Sequence, residues 1–330
     1  MNPQDFNYTN PLDTLRLNRG IEDQKAFFRD LLRKNPGSAA DLINDKSLSF
    51  PSLFILQDRI KDSRLVTRLN TKSKTALKLV DGILSKRPED IHKLSSENKD
   101  MTFSALQWML ETGYQEDGLS NRYDEVMEKA AILLVKEHKD KTMLPAMVDM
   151  LFKRYKNGRF FHDLAWAFFE ARDTDSLLMV VNRLRSPEWK EVQLAKKLLS
   201  FIPGIDSGIS DTSRLHRFCM NWLQENHPFL IYTGESFQES CKPVPYTIST
   251  EAKYLCKAVP GRDAKFLNQA VRLEHTLLDN FNKLDESVKT RLSDYSYRLY
   301  RQNPRLWNLW IQYPLAVQIR MASAGMGGIS

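Results

Sequence analysis

Cysteine is scarce in this sequence, and histidine is scattered. The 330 residues contain three cysteines, at positions 219, 241 and 256, and six histidines. No two cysteines form a CxxC pair, so neither a disulfide framework nor a structural zinc site is predicted. No HExxH motif occurs, and the single ExxH pair, Glu89 with His92, falls short of the two pairs that a di-iron helical bundle needs. We therefore expect no metal and no cofactor.

Motifs for nucleotide binding and nucleophilic catalysis are missing as well. There is no GxxxxGK[ST] loop, and the glycine-rich segment Gly325–Gly328 stands at the end of the sequence with no strand before it. His216 and Cys219 are spaced i, i+3, but Cys219 also falls on an apolar helical stripe, which indicates a buried, unreactive thiol. No catalytic residue is nominated. The sequence favours a protein that is not an enzyme without deciding the point.

Long apolar runs are also absent. No stretch of about 18 apolar residues occurs, so no membrane span is expected. The first residues, Met1–Phe6, lack the basic and apolar regions of a signal peptide, and we expect a cytoplasmic protein. Basic residues outnumber acidic ones by 48 to 41, which gives a formal charge of +7. This mild excess is compatible with an anionic partner.

The sequence does contain extensive helical periodicity. Glycine and proline are few, at 13 and 14. In Thr75–Arg87 the apolar residues form one helical stripe, and Asn70 or Thr71 can cap its start. The first 20 residues lack such a pattern. Helices are predicted over Thr75–Arg87, Phe103–Glu111, Arg122–Lys139, Met143–Tyr155, Phe160–Ala171, Asp175–Arg185, Pro187–Phe201, Thr212–Glu225, Ser249–Ala258, Arg262–Leu284, Glu286–Gln302 and Pro304–Ser323.

Three predicted helices align with one another around a small residue. Ala131, Ala165 and Ala195 stand at steps of 34 and 30 positions, and a pair of large apolar residues follows each of them three and four positions later. A period of this length with two helices per unit is typical of helical solenoids. Residues 100–205, and Ser186–Phe201 in particular, resemble HEAT and armadillo repeats. The resemblance implies an all-α fold with a short HEAT-like α-α superhelix; an irregular helical bundle is the alternative.

Breaks in the helical pattern suggest four regions. Residues 1–100 are predicted to form an N-terminal helical cap, residues 101–225 the HEAT-like repeats, residues 226–250 a long loop or linker, and residues 251–330 a C-terminal helical subdomain with a flexible tail from Ala322. Within the loop, prolines exclude a helix around Cys241, and Phe229–Tyr232 can form a short extended piece.

A basic interval is the first candidate binding surface. Between residues 59 and 78 the sequence contains seven basic residues and one acidic residue. If Lys61, Arg64, Arg68 and Lys72 share one helix, their spacing of 3, 4 and 4 places them on one stripe. Such a stripe can contact phosphates, lipid head groups or an acidic protein. The alternative is an ordinary solvated face.

A C-terminal segment rich in arginine and aromatic residues is the second candidate. Its nominated binding residues are Arg298, Arg301, Arg305, Trp307 and Trp310. Tryptophan, tyrosine and arginine dominate the hot spots of protein interfaces and also stack on unpaired bases. Core packing explains several of the aromatic residues equally well.

These observations favour one function and leave two others open. A solenoid presents extended surfaces to partners, so we expect a non-catalytic scaffold or adaptor that binds a protein partner in the cytoplasm. The second hypothesis is nucleic-acid binding through the basic interval and the C-terminal arginines. The third is a HEAT-like enzyme acting on DNA.

Overall fold

The protein is built from helices. The computed structural model describes residues 10–87, 89, 91, 96–206, 208, 211–259 and 272–326. Within these residues it contains seventeen α-helices and one two-stranded sheet, which confirms the all-α class. The chain forms two compact units, Met1–Ala171 and Arg172–Ser330. The predicted division at residues 100, 225 and 250 stays a prediction.

The first unit contains nine of the described helices. They are α1 Pro11–Arg19, α2 Ile21–Lys34, α3 Pro36–Asn44, α4 Phe50–Asp62, α5 Thr71–Leu84, α6 Lys99–Gly113, α7 Asn121–Lys136, α8 Leu144–Lys156 and α9 His162–Glu170. Side-chain caps mark several starts. Asn10 Oδ1 accepts from the Leu12 amide at 2.9 Å, and Asn70 Oδ1 accepts from the Ser73 amide at 2.8 Å. The cap predicted at Asn70 is therefore confirmed.

Aromatic rings from three helices form a central part of this unit's core. Phe50 of α4 stacks on Tyr123 of α7 with ring centroids 5.6 Å apart, and Trp108 of α6 meets Phe50 edge-on at 5.9 Å. All three rings are buried. Helix α6 packs against both α5 and α7, and α7 packs against α9. Burial of these large side chains supplies much of the driving force that holds the unit together.

The second unit contains eight described helices and the small sheet. The helices are α10 Leu177–Arg183, α11 Trp189–Leu198, α12 Thr212–Asn226, α13 Thr250–Tyr254, α14 Arg272–Phe281, α15 Glu286–Gln302, α16 Pro304–Trp310 and α17 Leu315–Met326. Strand β1, Leu230–Tyr232, pairs antiparallel with β2, Tyr246–Ile248, in the register Leu230 with Ile248. The predicted extended piece at Phe229–Tyr232 is thus confirmed for its last three residues.

Helix α15 joins the helices from residue 250 onward to one another. It packs against α13, α16 and α17. The core at this junction is aromatic: Tyr254 stacks on Phe281 at 4.4 Å and meets Trp310 edge-on at 6.1 Å. On α15, Leu292, Ser293, Ser296 and Leu299 are buried.

Most helices predicted from periodicity are present, with ends that differ by a few residues, and Glu286–Gln302 is reproduced at both ends. The single helix predicted over Pro304–Ser323 is wrong, because Pro314 stands between α16 and α17. The prediction of an aperiodic first 20 residues overlooked α1. Helix α17 also continues through the buried Ala322 to Met326, where the sequence predicts a frayed tail. The part of predicted helix Arg262–Leu284 before residue 272 lies outside the described residues.

Candidate functional site

The basic interval does not form one helical stripe. Helix α4 ends at Asp62, a short 3₁₀ turn covers Leu65–Arg68, and α5 begins at Thr71. Arg64 lies between the two in a left-handed conformation, with φ of 57°. The assumption that Lys61, Arg64, Arg68 and Lys72 share a helix is therefore wrong.

The four basic side chains also have different surroundings. Lys61 Nζ pairs with Asp81 Oδ1 at 2.5 Å. Lys72 is half-buried, with its ammonium 4.2 Å from the centre of the Trp108 ring, and burial lowers its pKa. Arg64 and Arg68 are exposed. Two of the four charges are thus engaged within the first unit, which weakens the case for a continuous basic surface.

Trp310 is a core residue of the second unit. Its side chain is fully buried, and its ring lies 5.3 Å from that of Tyr295. Trp307 is half-buried, and its Nε1 donates a hydrogen bond to Ser296 Oγ at 2.8 Å. The nomination of Trp310 as a binding residue is therefore wrong: it is packed against the aromatic core. The hydrogen bond to Ser296 holds Trp307 of α16 against α15.

Large apolar side chains nevertheless reach the surface beside these tryptophans. We call the group formed by Tyr300, Arg305, Leu306, Leu309 and Tyr313 the α16 surface. The exposed fractions are 39% for Tyr300, 41% for Leu306, 57% for Leu309 and 43% for Tyr313. Tyr300 rests edge-on against Trp307 at 5.3 Å, which links the exposed group to the packed one. The spacing of i, i+3 places Leu306 and Leu309 on one face of α16, and Tyr313 follows three residues after the helix ends.

Arg298 and Arg301 line a separate concavity in the second unit. This concavity, which we call the Arg298 pocket, has a volume of about 750 Å³. Its walls come from α12, α13 and α15 and include Glu225, Lys253, Asp294, Tyr297, Arg298 and Arg301. A smaller concavity of about 440 Å³ shares Tyr297 and Arg301 and continues toward Leu178 and His227. Two of the residues predicted to bind, Arg298 and Arg301, thus line the same concavity.

A buried lysine forms one wall of the Arg298 pocket. The side chain of Lys253 is 3% exposed, and its ammonium donates to Asn226 Oδ1 at 2.6 Å and to Asp294 Oδ1 at 2.5 Å. Ser249 caps α13 by accepting from the Ala252 amide at 3.1 Å, which sets the position of Lys253 one residue later. A buried ammonium needs such partners, because the loss of water is otherwise unfavourable.

The two arginines of the pocket lie one helical turn apart on α15. The guanidinium of Arg301 lies 5.8 Å from the centre of the Tyr297 ring, and that ring meets Phe229 edge-on at 4.8 Å. Arg298 is half-buried. In the part of the chain that the structure describes, neither guanidinium forms an ion pair with a carboxylate. Sequence reasoning selected both arginines but missed Lys253, Asn226 and Asp294, because nothing local marks them.

The His216 and Cys219 pair does not have the features of a catalytic dyad. Cys219 is buried, and burial raises the pKa of its thiol to about 11. His216 Nε2 lies 3.1 Å from Asn182 Oδ1 instead. The interpretation of Cys219 as a buried thiol is confirmed, and a thiolate at this position is strongly disfavoured near neutral pH.

Neither a protein-family model, nor a curated protein, nor a solved structure matches this chain. Among the described residues there is no group of three or more His, Cys, Asp or Glu side chains arranged to hold a metal ion. No helix within those residues has the length and apolar character needed to cross a bilayer.

Proposed function

We propose that this protein is a non-catalytic helical scaffold that binds a protein partner in the cytoplasm through the α16 surface. One observation carries the proposal: four large apolar side chains, each 39% or more exposed, lie between residues 300 and 313, on α16 or next to it in the chain. Single exposed apolar residues are ordinary, but a group of them marks an interaction site. Two tyrosines and a neighbouring arginine add the residue types that dominate interface hot spots.

The charge at the edge of this surface supports a particular kind of partner. Arg305 is exposed on α16, directly before Leu306. An apolar centre with a basic edge is complementary to a partner whose apolar side chains are flanked by acidic ones. The proposed partner is therefore an acidic protein segment with at least two large apolar residues.

We also propose that residues 101–225 are related to HEAT repeats. Support comes from the three aligned alanines: Ala131 of α7, Ala165 of α9 and Ala195 of α11 are all fully buried. A buried small residue lets a helix approach its neighbour closely, as stacked repeats require.

Affinity capture with surface variants tests the function. Wild-type protein, a Leu306→Asp/Leu309→Asp variant and a Trp189→Asp control are compared after nuclease treatment, at low and high salt. Trp189 is 59% exposed in the same unit but lies outside the α16 surface. We expect one protein to be retained by wild type and by the control at both salt concentrations, and lost from the double variant.

Two results would contradict the proposal. Equal retention by all three proteins would show that the α16 surface is not the contact. Recovery of nucleic acid that disappears at high salt, with no retained protein, would favour the alternative of phosphate binding. Folding of each variant is checked by circular dichroism before capture.

A further inference from the structure

We infer that the Arg298 pocket binds a small organic phosphate, with Arg298, Arg301 and Lys253 contacting the phosphoryl group. The pocket is distinct from the α16 surface, so this inference does not depend on the proposed protein partner. Its volume of about 750 Å³ lies in the range of small-molecule sites, which run from about 300 to 1,000 Å³.

Lys253 gives the pocket a hydrogen-bond donor in a fixed position. An ammonium has three N–H donors, and the structure accounts for two of them through Asn226 and Asp294. Among the described residues no third acceptor contacts it. These two hydrogen bonds hold the ammonium in one position at the wall of the pocket, and the proposed ligand accepts a hydrogen bond from its third N–H.

Arg298 and Arg301 supply the net positive charge of the pocket. The Lys253 charge is balanced by Asp294, whereas the two guanidiniums form no ion pair within the described residues. Their spacing of i, i+3 places both side chains on the same face of α15. Guanidinium groups match the oxygens of a phosphate with two parallel hydrogen bonds, so two of them suit a dianionic phosphoryl group.

The acidic wall favours a ligand that also carries hydroxyl or amino groups. Glu225 lines the pocket from α12, and it is exposed. A carboxylate there accepts hydrogen bonds from such groups and repels a ligand with negative charge at both ends. A sugar phosphate or nucleoside monophosphate therefore fits the charges better than a dicarboxylate does.

Titration calorimetry and ³¹P NMR with defined ligands test this inference. The ligands are inorganic phosphate, glucose 6-phosphate and AMP, with glucose, adenosine and malonate as comparisons. We expect wild-type protein to bind inorganic phosphate weakly and at least one organic phosphate more tightly, and to bind glucose, adenosine and malonate worse than the phosphates. Arg298→Gln and Arg301→Gln should each weaken phosphate binding by about tenfold, since each removes a charge-assisted contact.

Arg291→Gln is the matched control, because Arg291 is exposed on the same helix but does not line the pocket. It should leave binding unchanged. Binding that weakens equally in Arg291→Gln would indicate general attraction to a basic surface and would overturn the inference. So would the absence of binding by all three phosphates. If Arg298→Gln does not fold, Arg298→Lys keeps the charge without the planar fork and should still bind phosphate more weakly than wild type.

Discussion

The Arg154 guanidinium of α8 holds the Asp117 carboxylate through hydrogen bonds from Nε at 3.0 Å and from Nη2 at 2.8 Å. Both side chains are almost completely buried, at 4% and 1% exposure. Removing Asp117 takes away these hydrogen bonds and leaves the buried guanidinium with one carboxylate partner among the described residues, Glu128. Asp117→Ala should therefore lower the free energy of unfolding by about 3–5 kcal/mol, as measured by urea denaturation.

A more exposed ion pair nearby provides the comparison. Arg159 pairs with Asp124 at 2.6 Å, and the arginine side chain is 39% exposed. Arg159→Ala should cost no more than about 1 kcal/mol, because water screens and partly replaces the contact. Similar losses for Asp117→Ala and Arg159→Ala would contradict the role assigned to the buried pair.

Glu128 should make the stability of the first unit depend on pH. Burial raises the pKa of this carboxyl from 4.5 to about 7, although Arg154 Nη1 lies 2.5 Å away and opposes the shift. Between about pH 4.5 and 7 the unfolded chain has lost this proton and the folded protein retains it. The residue's contribution to the free energy of unfolding therefore falls as pH rises through this range and is constant above it.

Glu128→Gln removes that dependence. The free energy of unfolding of the variant relative to wild type should increase by about 1–3 kcal/mol between pH 5 and pH 8. Denaturation curves at several pH values measure the difference, and Glu22→Gln, at an exposed carboxylate, is the control. A difference between Glu128→Gln and wild type that is flat across this range would show that Glu128 is ionised in the folded protein.

The three cysteines should differ in reactivity. Cys241 is exposed, whereas burial raises the pKa of Cys219 to about 11 and that of Cys256 to about 12. A thiol reacts as its thiolate, so iodoacetamide at pH 8 should modify Cys241 first in the folded protein. Peptide mass spectrometry over time measures the order. Early modification of Cys219 without unfolding would contradict its placement in the core.

Trp310 and Leu309 are adjacent in sequence, but substitution of Trp310 should mainly lower stability, whereas substitution of Leu309 should mainly weaken partner binding. Trp310 is fully buried, so Trp310→Ala should cost about 3–5 kcal/mol of stability. Leu309 is 57% exposed, so Leu309→Asp should change stability by no more than about 0.5 kcal/mol while weakening partner binding. Thermal unfolding and affinity capture of both variants check this. A stable Trp310→Ala protein would place the indole outside the core.

Local signals explain why so many helices could be predicted. Helix α15 is bounded by Asp285 before it and Pro304 shortly after it, and its apolar residues recur at helical spacing. The same kinds of signal were present where the predictions were wrong. Asn10 followed by Pro11 starts α1, and Pro314 separates α16 from α17. Pro11 and Pro314 therefore mark these two boundaries in the sequence.

The binding residues could be predicted only in part. Arginine and aromatic residues near the C-terminus mark a region, but periodicity alone did not separate the buried Trp310 from the exposed Leu309. The prediction that the basic interval forms one helical stripe was wrong for a different reason. Its regular spacing matters only if the chain stays helical, and the left-handed Arg64 interrupts the helix between α4 and α5.

The amino-acid sequence by itself determined the helical class and most helix positions, because spacing, caps and prolines act within a few residues of one another. Tertiary structure alone decided the Arg298 pocket. Lys253 lies 27 residues from Asn226 and 41 residues from Asp294, and these partners meet only when α12, α13 and α15 pack together. A buried charge is stabilised by groups that are close in space, and no local pattern records which distant residues those are.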